Sequence, residues 1–146
     1  MEAKQVAEEF LAAFNAEDMA KIRAFLSDRF TFSGPTPEPV SADQWMAIVM
    51  GMRAAFPDLN YNIKITGYEG NKVMTTTQLT GTHTNEWNLT AMGIGVVPAT
   101  GKTFSNPKEE GFMTIENGKI ASYFINSKEG SGIPGMLKQL GIEVPA

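Results

Sequence analysis

His83, Tyr123 and the adjacent pair Glu109-Glu110 are the side chains whose types suit proton transfer, and they fall in the second half of the chain. An imidazole titrates near neutral pH and serves as a general base or a hydrogen-bond donor. A phenol donates to a developing oxyanion. A carboxyl buried among apolar groups has its pKa raised, which suits an acid or a base. Each has a plainer reading. His83 is the only histidine, so it has no obvious triad partner, and a strand-end histidine bonded to a backbone carbonyl is the simpler expectation. Tyr123 on an alternating strand buries its ring and, in the plainer case, leaves its hydroxyl wet. If Ala121, Tyr123 and Ile125 share the inner face, that hydroxyl points inward. Glu109 and Glu110 are consecutive, so in a strand they face opposite sides. Carboxylates are rarely buried, so both flanking a bulge in solvent beside Lys108 is the ordinary arrangement. Asp58 after Pro57 suits a turn bond to its own backbone. Phe14, Trp45, Tyr61 and Trp87 are candidates to line an apolar ligand chamber, alongside adaptable methionines such as Met46 and Met50.

Composition narrows the chemistry. The 146 residues fit one domain, residues 1–146, and 42% hydrophobic content is enough for a real core. The formal charge is −4, with lysines and arginines scattered singly, which argues against nucleic acid as a partner. Cysteine is absent, so thiolate catalysis, disulfides and cysteine metal sites are excluded. One histidine rules out a multi-histidine metal site within one chain. The N-terminus is acidic and amphipathic, unlike a signal peptide, and no apolar run reaches membrane-spanning length. The expectation is a cytoplasmic protein with no membrane, metal or cofactor partner. Gly93-Ile94-Gly95 is not a dinucleotide fingerprint, because Pro98 stands where the third glycine belongs.

The elements that must position these groups follow from periodicity. Val6, Phe10, Leu11 and Phe14 form one stripe of a helix over 3–15. A second helix follows Glu17-Asp18, carries Met19, Ile22, Phe25 and Leu26 inward and ends near Ser27. Arg29 to Phe32 alternates like a short strand. Pro35, Pro37 and Pro39 make the next stretch a loop or lid. Ser41-x-x-Gln44 reads as a capping box opening a third helix with Trp45, Ile48, Val49, Met52 and Phe56 inward. Leu59 to Ile65 alternates as a strand. Gly70-Asn71 turns it into Val73 to Thr84, a long β-branched run predicted as the central strand. From Asn85 to Gly101 the pattern weakens, and Pro98-Ala99-Thr100-Gly101 is a turn. Residues 103–115 form a strand interrupted at Pro107, and Asn117-Gly118 marks a two-residue hairpin. Ile120 to Asn126 returns, and Ile133 to Leu140 is a short helix stopped by Gly141. Helices followed by antiparallel strands imply an α+β domain with helices on one face of a curved sheet.

Several short motifs stand together in order: Ala55-Phe56-Pro57-Asp58-Leu59, Leu79-Thr80-Gly81-Thr82-His83-Thr84, Pro98-Ala99-Thr100-Gly101-Lys102, Glu116-Asn117-Gly118-Lys119-Ile120 and Met136-Leu137-Lys138-Gln139-Leu140-Gly141. In these the chain resembles SnoaL-like polyketide cyclases of the nuclear-transport-factor-2-like superfamily, over nearly its whole length. The resemblance implies a cone-shaped curved antiparallel sheet packed around N-terminal helices (a cystatin-like α+β roll), a pocket at the cone's mouth and a homodimer through the open sheet face. Residues such as Val73, Met74 and Thr76 suit that face. It also implies cofactor-free ring closure by intramolecular aldol condensation, or an isomerase or lyase relative of it. A His-Trp-Asp-like run belongs in the last strand, where Tyr123, Phe124 and Ile125 stand. A further aspartate belongs near Gly111. His83 matches.

Two readings follow. The first is an enzyme acting by acid–base chemistry on a small, largely apolar carbonyl compound, with His83, Tyr123, Glu109 and Glu110 as catalytic candidates and Phe14, Trp45, Tyr61 and Trp87 as substrate contacts. The second is a module that binds a hydrophobic ligand, or only dimerises, and has lost the acid at Ile125.

Overall fold

The computed structural model describes residues 2–36, 38–90, 93–130 and 132–142. Helix α1 (Ala3–Asn15) buries Val6, Ala7, Phe10, Ala13 and Phe14. It stops where Glu17 takes φ 57°, and Asp18 then caps α2 (Met19–Phe25) by accepting from the Lys21 N–H. The second helix is shorter than its apolar pattern suggests, because Leu26 already belongs to strand β1 (Leu26–Ser33). After the proline-rich loop, of which Pro37 lies outside the described residues, a short strand β2 (Val40–Ser41) leads into α3 (Ala42–Ala55). The capping box forms as its sequence predicts. Ser41 Oγ accepts from the Gln44 N–H at 3.3 Å, and Gln44 Oε1 accepts from the Ser41 N–H at 2.9 Å.

Strands β3 (Lys64–Glu69) and β4 (Lys72–Thr77) form a hairpin at Gly70-Asn71. Strands β9 (Glu109–Glu116) and β10 (Lys119–Ile125) form another at Asn117-Gly118, where both residues have positive φ, 51° and 74°. These strands join β1 and β2 in one six-stranded sheet of order β2-β1-β10-β9-β4-β3. Its β1–β10 pair is parallel, which corrects the expectation of an all-antiparallel run. Helices α1 and α3 pack on one face. The first core lies between them and the sheet, with Phe10, Phe14, Trp45, Val73, Met113 and Tyr123 among its members. Val73 is therefore inward and buried, whereas Met74 and Thr76 are half-buried.

Three further expectations need correction. The run from Val73 to Thr84 is not one strand. It leaves the large sheet after Thr77 and resumes as β5 (Thr80–Thr82), which pairs with β8 (Thr103–Ser105) in a separate two-stranded sheet. Leu59 to Ile65 is not one regular strand: Asn62 takes φ 48°, Asn60 makes an isolated bridge to Thr80, and only Lys64 and Ile65, the start of β3, pair with β4. The glycine-rich stretch holds a second small hairpin, β6 (Trp87–Leu89) with β7 (Gly95–Val97). Helix α4 (Gly132–Gln139) closes a second core with Met52, Phe56, Trp87, Phe104, Met136 and Leu137. Among the described residues, no helix is long and apolar enough to cross a membrane.

Candidate functional site

Glu109 opens β9 directly after the Pro107 break and pairs with Thr77 of β4. Alternation from that start puts Glu109, Gly111, Met113 and Ile115 on the helix-facing side, and Glu110 in solvent. Glu109 is only 3% exposed, so the solvated arrangement holds for Glu110 and is overturned for Glu109. Its Oε2 accepts from the Lys128 N–H at 2.7 Å. The segment carrying Lys128 is fixed in turn through the start of α4. Asn106 Nδ2 donates to the Gly132 carbonyl at 3.3 Å, while Asn106 Oδ1 accepts from Gln139 Nε2 at 2.9 Å.

Tyr123 lies on the same face, on β10. A register shift between Ile120 and Ser122 leaves Ala121 half-buried and turns Ile120, Tyr123 and Ile125 fully inward. The phenol oxygen lies 3.1 Å from Thr77 Oγ1. Burial pushes its pKa up. The Thr77 and Thr75 hydroxyls oppose the shift, and Glu109 adds to it. Tyr123 is thus a neutral phenol at ordinary pH. Its ring stands edge-on to Phe32 and Trp45, at 5.7 and 6.2 Å between centroids. Trp45 touches five rings in all, those of Phe10, Phe14, Phe30, Phe32 and Tyr123.

Phe14 and Tyr61 meet edge to face at 4.8 Å, and the Arg53 guanidinium lies over both, 4.9 and 5.5 Å from their centroids. Burial raises the Tyr61 pKa strongly, against the nearby Arg53 charge. Phe14, Trp45 and Tyr61 therefore all border the first core, where Glu109 and Tyr123 also face.

His83 and Trp87 do not. His83 is fully buried beside the second core, 5.2 Å from the Phe56 ring and 6.4 Å from that of Trp87. Its Nδ1 accepts from the Thr100 N–H at 3.3 Å and lies 3.1 Å from Thr100 Oγ1. A backbone N–H only donates, so the proton sits on Nε2. Asp58 accepts from the Thr82 N–H and hydroxyl, at 2.7 and 2.8 Å, and its own backbone N–H adds a lesser contribution. Those bonds, the Thr82 backbone one first, hold its carboxyl below the usual range. Thr75 and Thr77 belong to the threonine-rich run and are buried on the inner face. Their alternation beside Val73 is the signal that placed them on the inner face. Among the described residues, no cluster of three acidic or histidine side chains has the makings of a metal site.

The arrangement around β4, β9 and β10 holds one carboxylate, one phenol and two threonine hydroxyls against an aromatic wall. That is the equipment for moving a proton beside a carbonyl group. The family model for SnoaL-like polyketide cyclases matches residues 4–125. The chain belongs to that family. Three solved structures show the same fold. IdmH, a candidate polyketide cyclase from Streptomyces antibioticus, is 22% identical, with 97% of this chain and 100% of that one covered, at a TM-score of 0.69. AclR, a candidate hydroxylase from Streptomyces galilaeus, is 22% identical over 95% of each chain, also at 0.69. A protein of unknown function with a cystatin-like fold from Xanthomonas campestris is 14% identical, covering 96% of this chain and 97% of that one, at 0.65. Among curated protein sequences none matches.

As a SnoaL-like protein the chain departs from the expected acid positions for visible reasons. Ile125 is buried in the first core. A Cβ at Gly111 would overlap the Phe124 carbonyl oxygen, so no side chain fits there. Glu109, one inward position earlier on the same strand, is the carboxylate this face does carry.

Proposed function

We propose that this SnoaL-like protein takes a small, largely apolar carbonyl compound against the inner face of β4, β9 and β10 and moves a proton at its α-carbon. The observation that carries this reading is the buried Glu109 carboxylate on the face that also holds the Tyr123–Thr77 hydroxyl pair. Glu109 accepts the α-proton, and its electron pair delocalises onto the carbonyl oxygen. Tyr123 donates a hydrogen bond to that oxygen as charge builds. The enolate then attacks a second carbonyl of the same molecule, forming the carbon–carbon bond of an aldol closure, and the alkoxide so formed takes the proton back from Glu109, which restores the carboxylate. Alternatively the enolate takes the proton back at another carbon, which is isomerisation.

The test is exchange of the C1 protons of 2-tetralone, an apolar enolisable ketone, in D2O, followed by proton NMR. Wild type exchanges faster than buffer, and Glu109→Gln, which keeps an acceptor for Lys128, loses roughly 10²-fold or more of the excess. Tyr123→Phe loses less. Equal exchange by wild type and Glu109→Gln refutes the assignment of the base.

A second reading has its own support, the aliphatic Ile125 and the sterically closed Gly111 at the two expected acid positions. On that reading the chain binds the same class of compound without turning it over. Stabilisation by 2-naphthol in a thermal melt, with no exchange of 2-tetralone, selects it. The half-buried outer face, where the Phe112 and Phe124 rings meet at 5.6 Å, supports a homodimer through the sheet. Sedimentation of wild type as a monomer of 15.9 kDa overturns that part.

A further inference from the structure

The inner face of β4 carries a hydroxyl that the fold leaves unused. Thr75 alternates with Val73 and Thr77, pairs across the sheet with Gly111 and Ile65, and is 1% exposed. Among the described residues its Oγ1 finds no hydrogen-bond partner. Valine has nearly the same shape and would fill the position without that cost, so packing gives no reason for a hydroxyl here.

Thr75, Thr77 and Tyr123 bring three O–H groups to one patch, and the one bond among them joins Thr77 to Tyr123. Whichever oxygen donates in that bond, the proton of its partner and the proton of Thr75 have no acceptor among the described residues. At rest the Thr75 hydroxyl makes no hydrogen bond, yet it lies near enough to Tyr123 to donate one to an oxygen that carries charge there, which lowers the Tyr123 pKa. The unspent protons therefore point to one neighbourhood. What satisfies several donors at a single place is an oxygen with more than one lone pair, as in a ketone, an enolate or a phenolate. Hydrocarbons and amines do not supply it.

We infer that Thr75 is a ligand-oxygen donor of this site and that, with Tyr123, it selects compounds presenting a carbonyl or enolate oxygen to the inner face. This rests on the proposed reading of the site and adds the group that decides which ligand chemistry it accepts. Thr75 contributes more to the enolate than to the ketone, because the oxygen gains charge as the α-proton leaves.

The experiment uses the full chain with Thr75→Val and Thr75→Ser, and two probes of matched shape, 2-naphthol and naphthalene. Binding is followed by fluorescence and stability by thermal melting. Thr75→Val is expected to weaken 2-naphthol about tenfold, one net hydrogen bond. It leaves naphthalene unchanged and melts no lower than wild type, since it removes an unpaired buried hydroxyl. Thr75→Ser keeps the affinity for 2-naphthol. In 2-tetralone exchange, Thr75→Val lowers kcat and leaves KM nearly unchanged. Equal 2-naphthol binding by Thr75→Val and wild type overturns the inference while leaving the Glu109 reading intact. So does an equal loss for naphthalene, or a lower melting temperature of Thr75→Val, either of which makes the hydroxyl structural. A wild type that neither binds 2-naphthol nor exchanges 2-tetralone overturns the reading of the site, and this inference with it.

Discussion

Replacing His83 with asparagine tests whether its imidazole serves the fold. The chain has one histidine, so between about pH 5 and pH 8 no other side chain has its ordinary pKa in range. In the folded protein a second proton must go to Nδ1, which already accepts the Thr100 N–H at 3.3 Å. The new charge would sit against the Phe56 ring, fully buried. Burial accordingly pushes the pKa below its ordinary 6.5, and the Asn85 backbone opposes that only in part. The unfolded chain binds the proton at its ordinary value, so just below it the unfolded state holds more protons than the native one. Stability is then fully present above 6.5 and falls as pH drops from there through the folded pKa. One proton limits the slope to about 1.4 kcal/mol per pH unit. Asparagine keeps an acceptor for the Thr100 N–H and does not titrate. It leaves space beside Phe56, so its stability starts about 1–2 kcal/mol lower. The assay is the urea midpoint by tryptophan fluorescence across that pH range. The expected result is a sloping wild type and a flat His83→Asn. A flat wild type, or the same slope in the variant, refutes the reasoning.

Four further outcomes follow from the geometry. Asp58→Asn breaks the charged tie to Thr82. Because those bonds lower the Asp58 pKa, its stabilisation is present above 3.8 and lost as pH falls through the folded value. Acid unfolding followed by circular dichroism should show that limb in wild type and not in the variant. Ser41→Ala removes the acceptor of the α3 capping box and costs about 1 kcal/mol in urea unfolding. Gly111→Ala forces β9 away from the Phe124 carbonyl and costs about 2–3 kcal/mol, read the same way. A Cβ at residue 132 would lie 3.8 Å from Pro35 Cβ, within disulfide reach, in a chain with no native cysteine. Although Gly132 has φ 67° and its replacement adds strain, Pro35→Cys/Gly132→Cys should lose 2-tetralone exchange when oxidised and regain it when reduced. Equal exchange in both states rules out entry through that side.

Features that depend on neighbours in sequence were legible from sequence. Ser41 and Gln44 specify their cap, and Asn117-Gly118 its hairpin, because the bonds and φ values involved span a few residues. Features that depend on distant partners were not. The threonine-rich run forms strand over Lys72–Thr77 and again over Thr80–Thr82, as β-branching favours. Its break after Thr77 is set by Gln78 donating to the Tyr61 carbonyl and by the Asn60–Thr80 bridge, neither of which alternation reveals. Pro107 hid which glutamate turns inward, since one residue of register reverses every side chain that follows. The β6–β7 hairpin was hidden by its brevity, three residues a side around a glycine-rich connection. For the site, sequence left the Tyr123 hydroxyl open between solvent and the inner face, and it showed a hydroxyl-lined strand without showing that Thr75 and Thr77 are the hydroxyls that meet Tyr123. His83 drew attention as a lone imidazole, yet it packs beside the second core with Thr100, away from Glu109.

The parallel pairing of β1 with β10 also bears on how the chain reaches this fold. Thr31 aligns with Ser122, so one seam of the sheet joins the first strand to the last. The β3–β4 and β9–β10 hairpins close over short loops and can form early. The β1 seam has to wait for almost the entire chain and bears its full loop-closure entropy. During synthesis, β1 leaves the ribosome with only the two-residue β2 as a partner, and its other edge stays open until β10 follows. The charged pair Asp28-Arg29 in its exposed middle then acts as a guard against pairing with a neighbouring chain. Neutralising both residues should leave the melting temperature of the finished protein nearly unchanged while raising the fraction that aggregates during refolding.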